Sequence, residues 1–65
     1  MRNWLKESRE KSGLSHYQVA MKCHIQRAYY TQIEGDKRTP SVEVAQRIAQ
    51  VLDFNWVKFF PSKAP

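Results

Sequence analysis

The segment 15–34, SHYQVAMKCHIQRAYYTQIE, constrains the fold most, because it divides into two helices that are each too short to be stable alone. Ser15 and Gln18 form the Ser-x-x-Gln pattern of a capping box, which predicts a helix start. That helix is expected to end just before a break at 24–26, and a second helix is predicted at 27–34. Two short helices joined by a turn of about three or four residues form a helix-turn-helix. Both must bury their apolar faces against other elements.

Helices are also predicted before and after this pair. Residues 2–12 contain good helix formers with opposite charges at i,i+4 spacing, and Gly13 offers the left-handed residue that often ends a helix. Thr39 and Pro40 are typical of an N-cap followed by proline at the first helical position. The fourth helix then has apolar residues at helical spacing, namely Val42, Ala45, Ile48, Ala49 and Leu52.

A last short helix, WVKFF, is predicted between a cap at Asn55 and a stop at Pro61. No segment has the alternating pattern of a strand. The sequence therefore predicts an all-α fold: a compact five-helix domain over residues 1–60 with a central helix-turn-helix, followed by a tail at 61–65.

Length and composition limit the functions that this chain can carry. Its 65 residues suffice for one small domain, and its single cysteine, Cys23, cannot form an intramolecular disulfide. Cys23 and two histidines are too few for a structural zinc site, so we expect no metal and no cofactor. No carboxylate pair, nucleophile–base set or phosphate-binding loop predicts an enzyme or a small-molecule ligand. Without a membrane span or a signal-peptide core, we expect a cytoplasmic protein.

The charge is consistent with a nucleic-acid partner. Eleven Lys and Arg against six Asp and Glu leave a net charge of +5 and a pI near 9.7. A pI above about 9 is typical of nucleic-acid-binding domains, although a solvated basic surface is the simpler alternative. The distribution of polar residues must decide between them.

The helix at 27–34 is predicted to have two distinct faces. At about 100° per residue, Tyr30, Ile33 and Glu34 share one side, and Ala28, Thr31 and Gln32 share the other. Arg27 stands at the exposed N-terminal end. In a DNA major groove, arginine can bind guanine, glutamine can bind adenine, and alanine or the threonine methyl can contact thymine. Tyr30 is expected in the core.

Many residues of this chain match, at the same spacing, the consensus sequence of a known protein family. The pattern runs approximately L-R-E-x-x-G-L-S-Q-E-x-L-A, then G-I-S, then I-E-x-G-K-R-x-P-S. Over about residues 5–60 the chain resembles the Cro/phage-repressor (XRE-type) helix-turn-helix family, which implies a lambda-repressor-like fold. The matching residues are Arg9, Glu10, Gly13, Leu14, Ser15, Ala20, Ile25, Ile33, Glu34, Lys37, Arg38, Pro40 and Ser41.

The resemblance also implies roles for single residues. The base-reading positions are Arg27, Ala28, Thr31 and Gln32. Residues expected to contact the DNA backbone or brace the reading side chains are His16, Gln26, Tyr29, Lys37 and Arg38. For Tyr29, a plain surface position is the equal alternative. Arg9 and Glu34 match a structural ion pair.

The chain departs from the family pattern at several positions. His24 and Asp53 stand where glycine usually ends a helix, and in GDKR the glycine is residue 35 instead of 36. Gln26 replaces the usual Ser or Thr cap of the recognition helix, which predicts a weaker helix start.

The C-terminal aromatic residues allow two interpretations. Trp56, Phe59 and Phe60 can close the core, or at least one can face outward and form part of a dimer seam. We expect a homodimer, at least on DNA, because relatives bind palindromic sites with half-sites about 34 Å apart.

The function predicted from the sequence is a sequence-specific double-stranded DNA-binding transcriptional regulator, and a repressor. The alternative is a module with this fold that binds another protein, such as a phage adaptor or an anti-repressor, and does not bind DNA specifically.

Overall fold

The computed structural model describes residues 1–61 and contains four α-helices followed by one short 3-10 helix. The α-helices are α1 (Asn3–Lys11), α2 (His16–Cys23), α3 (Arg27–Glu34) and α4 (Val42–Leu52), and the 3-10 helix is Trp56–Phe59. No strand occurs among the described residues, so the predicted all-α class is confirmed.

The predicted count of five helices needs a small correction, because the last element is a four-residue 3-10 turn and not an α-helix. Asn55 does cap it, accepting a hydrogen bond from the backbone N–H of Val57 at 3.1 Å. Of the tail predicted at 61–65, only Pro61 is described, and residues 62–65 lie outside the described part of the chain.

Side-chain caps set the starts of α2 and α4. Ser15 accepts from the backbone N–H of Gln18 at 3.1 Å, and the Gln18 side chain accepts from the Ser15 N–H at 2.8 Å, which completes the predicted capping box. The N-cap of α4 is Ser41, whose hydroxyl accepts from the Val44 N–H at 3.2 Å. The cap predicted at Thr39 with Pro40 as first helical residue is therefore wrong.

Among residues 1–61, four adopt positive φ, and each ends a helix or turns the following loop. Gly13 has φ 70°, as its predicted position after α1 requires. His24, Asp36 and Asp53 have φ of 59°, 63° and 61°. All three stand where the family pattern has glycine, so the chain keeps the left-handed turns and bears the steric cost of a Cβ at each.

The core lies where α2 packs on α3 and α4, with α1 closing one side. Ala20 is buried at the centre of α2, where a small side chain allows close approach of neighbouring elements. Cys23 is buried as the predicted small apolar residue, and burial raises the pKa of its thiol to about 11 against the weaker opposing charge of Arg47. The clustered core residues are Leu5, Val19, Ala20, Cys23, Tyr30, Ile33, Ala45, Ile48, Leu52 and Phe59.

An aromatic cluster closes the core at the C-terminal end. The rings of Trp4 and Phe59 are 5.1 Å apart, and Phe54 lies 5.1 Å from Trp4 and 5.6 Å from Phe59, all edge to face. Phe59 is only 4% exposed. Its assignment to a dimer seam is thus corrected, because its ring is used inside the monomer.

Candidate nucleic-acid interface

Helix α3 presents its polar residues on one face and its apolar residues on the other. Tyr30 and Ile33 are fully buried. Tyr29 is half-buried at the boundary between the two faces. The exposed residues of α3 are Arg27, Ala28, Thr31 and Gln32. The structure therefore buries and exposes the residues of α3 as the helical spacing predicted.

The buried carboxylate of Glu34 anchors α3 to the rest of the domain. Glu34 is 1% exposed, and Arg9 on α1 donates to both of its oxygens, to Oε1 from Nε at 2.8 Å and to Oε2 from Nη2 at 3.2 Å. Tyr30 donates its hydroxyl to Oε1 at 2.8 Å. Arg9 also donates to the carbonyl of Leu14 at 2.9 Å, which ties the loop before α2 to the same group. This network fixes the orientation of α3.

Electrostatics keep this carboxylate ionised. Burial works to raise the pKa of Glu34, but hydrogen bonds from Arg9 and Tyr30 and the nearby positive charge outweigh burial and lower it. The hydrogen bond to Glu34 raises the pKa of Arg9, although desolvation opposes it. Burial, followed by the bond to Glu34, raises the pKa of the Tyr30 hydroxyl. Arg9 and Glu34 therefore stay charged and Tyr30 stays neutral, and the three side chains form one hydrogen-bonded network.

His16, at the start of α2, connects this network to the exposed face of α3. Its Nε2 lies 3.0 Å from Oε2 of Glu34, and its Nδ1 lies 2.9 Å from the hydroxyl of Thr31. The ring packs edge to face on Tyr30, with centroids 5.4 Å apart. Both ring nitrogens thus have protein partners, and His16 holds Thr31 in place.

The loop after α3 folds back onto the helix that it follows. The backbone N–H groups of Lys37 and Arg38 both approach the carbonyl of Gln32, at 2.9 and 3.3 Å. The side chains of Lys37 and Arg38 are exposed, and the Arg38 guanidinium lies over the ring of Tyr29 at 5.7 Å from its centroid. Two cations are thereby held beside the exposed face of α3.

The N-terminal end of α3 is open. Gln26 is its N-cap residue but makes no side-chain capping hydrogen bond, in line with the weaker helix start predicted from the sequence. A surface depression of about 470 Å³ lies beside this end. It is lined by His24, Ile25, Gln26, Tyr29 and Arg38.

Comparison with known proteins places this arrangement in a family. A family model described as helix-turn-helix matches residues 5–59. The chain belongs to the XRE-type helix-turn-helix family. It is also 47% identical over 60 residues to an uncharacterized HTH-type transcriptional regulator, YqaF, of Bacillus subtilis strain 168, a match that covers 92% of this chain and 79% of the relative. No solved structure shows significant similarity.

The helix-turn-helix family match covers most of α1, all of α2 to α4 and the whole 3-10 helix, so the predicted family and fold class are confirmed. The two helices of the helix-turn-helix are α2 and α3. Among residues 1–61, no helix is long and apolar enough to span a bilayer.

One residue that supports the interface was missed by the sequence analysis. Arg2 donates from Nη1 to the carbonyls of Ile33 and Arg38, the latter at 2.9 Å, and its Nη2 lies 3.4 Å from Asp36. Its backbone N–H donates to the carbonyl of Glu34 at 2.8 Å. The N-terminus therefore braces the loop after α3. Nothing in the sequence indicated this, because the contacts join residues more than 30 positions apart.

The remaining predicted site residues lie on the C-terminal element. Trp56 and Phe60 are partly buried, with ring centroids 5.9 Å apart, and they border Val57, which is 49% exposed. None of the three lines the depression beside α3.

Proposed function

We propose that this protein is a sequence-specific regulator that represses transcription by placing α3 in the major groove of double-stranded DNA. At the level of a DNA-binding transcriptional regulator, the prediction is confirmed by the family match and the relative. Sequence specificity, repression and the roles of single residues are our proposals. The observation that carries them is the exposed polar face of α3, held rigid by the buried carboxylate of Glu34.

Each exposed residue of α3 has chemistry that suits a base edge. Arg27 can donate two hydrogen bonds to guanine, and Gln32 can pair with the amino group and N7 of adenine. Ala28 lies one turn before Gln32 and offers a methyl group to thymine. Thr31 adds a methyl and a hydroxyl. Side chains on a helix fixed at its base lose less entropy on binding than those on a mobile loop.

The surroundings of α3 suit the phosphate backbone. Lys37 and Arg38 are exposed cations on a loop bonded to Gln32, and they can contact phosphates beside the groove. Gln26 and Tyr29 line the depression beside the open helix end, where backbone N–H groups attract anions. His16 acts by bracing Thr31, since both of its ring nitrogens already have partners.

The operator is a palindrome bound by a homodimer in our proposal. Trp56, Val57 and Phe60 form a partly exposed apolar patch on the C-terminal element, and the seam is reassigned to these residues without Phe59. A two-fold pair would present two copies of α3 to half-sites about 34 Å apart. Occupancy of such a site would block polymerase access, and the protein would act in the cytoplasm on the nucleoid.

Binding to genomic fragments across a range of salt concentrations tests the proposal. We expect some fragments to bind far more tightly than others, with affinity falling steeply as salt displaces the contacts to phosphate. Gln32→Ala should relax preference at one base position by about 1–3 kcal/mol, whereas Arg38→Ala should weaken all sequences equally and lower the salt slope. Weak, uniform binding to every fragment would instead favour a protein-binding adaptor.

A further inference from the structure

The buried carboxylate determines which nitrogen of His16 carries the proton. An ionised carboxylate only accepts hydrogen bonds, and the Glu34 oxygens take them from Arg9 and Tyr30. His16 Nε2 lies 3.0 Å from Glu34 Oε2, so this nitrogen must be the donor. A bare Nε2 would place two lone pairs against each other at hydrogen-bond distance.

The proton on Nε2 in turn determines the direction of the bond to Thr31. A neutral imidazole has one N–H, so Nδ1 carries only a lone pair. Thr31 Oγ1 lies 2.9 Å from Nδ1 and must donate its single hydroxyl proton to it. The hydroxyl then has lone pairs left for a ligand and no proton. Thr31 is exposed, so these lone pairs face the surface on which we propose that DNA binds.

We infer that His16 fixes Thr31 as a hydrogen-bond acceptor, and that Thr31 thereby selects the strand on which a base pair carries its major-groove amino group. This inference rests on the proposed function. Adenine N6 and cytosine N4 are the major-groove donors, whereas guanine offers N7 and O6 and thymine offers O4, all acceptors. A free threonine hydroxyl could serve either kind of base. Because the link to Glu34 fixes the Thr31 hydroxyl as an acceptor, Thr31 can contact only the amino-bearing base of a pair.

The groups that face or approach His16 come from α1 and α3. Glu34 on α3 faces Nε2, Arg9 on α1 reaches His16 only through that carboxylate, and Tyr30 presents an uncharged ring. A doubly protonated imidazolium would donate from both nitrogens and release the Thr31 proton. The acceptor state of Thr31 thus belongs to the neutral ring.

Nitrogen-15 NMR of the free protein at pH 8 tests the first half of the inference, because the tautomers of neutral imidazole differ in their ring nitrogen shifts. We expect His16 to be protonated at Nε2, also in Thr31→Val. His24 is the matched control: it is exposed and should show averaged tautomers. A His16 ring protonated at Nδ1, either alone or together with Nε2, would overturn the inference whether or not the protein binds DNA.

Site selection from a random DNA pool tests the second half. The base pair whose preference differs between the wild type and Thr31→Val is the one that Thr31 faces, and we expect its amino-bearing base, adenine or cytosine, to be the contact. Replacing adenine with 2-aminopurine, or cytosine with pyrimidin-2-one, removes the major-groove amino group and should weaken wild-type binding about fivefold and Thr31→Val binding less than about twofold. Unchanged wild-type binding after the amino group is removed, or no changed position, would overturn the inference. An absence of DNA binding would refute the proposed function and leave the NMR result standing.

Discussion

Arg9 and Glu34 join the first and third helices through two hydrogen bonds, of 2.8 and 3.2 Å, between a guanidinium and a carboxylate that is almost completely buried. The pair lies directly behind the exposed face of α3. A charge this deeply buried costs free energy unless it stays paired, so removing either partner leaves the other uncompensated.

Arg9→Ala is therefore expected to lower the free energy of unfolding by about 3–5 kcal/mol, enough to unfold a domain of this size in part at 37 °C. Arg47→Ala is the matched control, because Arg47 pairs with Glu43 at 2.9 Å on the surface of α4. Its loss should cost no more than about 1 kcal/mol. Urea unfolding followed by circular dichroism measures both, and equal losses would contradict the assigned role of the buried pair.

Acid should destabilise the protein through Glu34. Because folding lowers the pKa of this carboxyl, the unfolded chain takes up its proton more readily than the folded one. Stability from Glu34 is thus fully present above its ordinary pKa of 4.5 and is lost as pH falls through the lower, folded value. Each unit by which folding lowers the pKa of Glu34 contributes about 1.4 kcal/mol to the free energy of unfolding.

Urea unfolding between pH 7 and pH 3 measures this loss. The wild-type free energy of unfolding should fall steeply below pH 4.5, whereas Glu34→Gln should show a much flatter dependence from a lower starting value. Glu43→Gln removes an exposed carboxyl and should keep the wild-type slope. A steep slope retained in Glu34→Gln would assign acid sensitivity to other groups.

The open start of α3 can be improved by a single substitution. Gln26→Ser should raise the free energy of unfolding by about 1 kcal/mol, because serine accepts from a free N–H at the helix start and glutamine does not do so here. Gln26→Ala, which cannot cap, should give no gain. Thermal unfolding of the three proteins compares them, and an equal rise in both variants would point to another cause.

The all-α fold and the buried and exposed faces of α3 could be predicted from the sequence, because both depend on the spacing of apolar residues and on capping residues close in sequence. Helical spacing put Tyr30 and Ile33 inside, and the Ser15 capping box marked the start of α2. The start of α4 was placed too early, because Thr39 and Pro40 match a cap pattern and only the folded loop shows that the Ser41 hydroxyl is the one that reaches an N–H.

Contacts between distant residues could not be derived in the same way. The resemblance implied the pairing of Arg9 with Glu34 and a bracing role for His16, but no pattern indicated that His16 would also contact Glu34. The adjacent positions of Phe59 and Phe60 showed that they could not share one narrow face, yet which of them faces inward depends on packing against Trp4. Such details require the positions of the helices relative to each other.

The contacts of Arg2 also join residues that are distant in the sequence. Its side chain joins the carbonyls of Ile33 and Arg38 and lies near Asp36, so Arg2→Ala should release the loop at 35–38. We expect faster amide exchange in that loop, a loss of about 1–3 kcal/mol in stability, and weaker binding to all DNA sequences with unchanged base preference. Arg2→Lys keeps the charge but cannot reach all three partners at once, so it should restore the result only in part. Hydrogen exchange and DNA binding by fluorescence anisotropy measure these effects, and a changed base preference in Arg2→Ala would mean that the N-terminus contributes to reading the sequence itself.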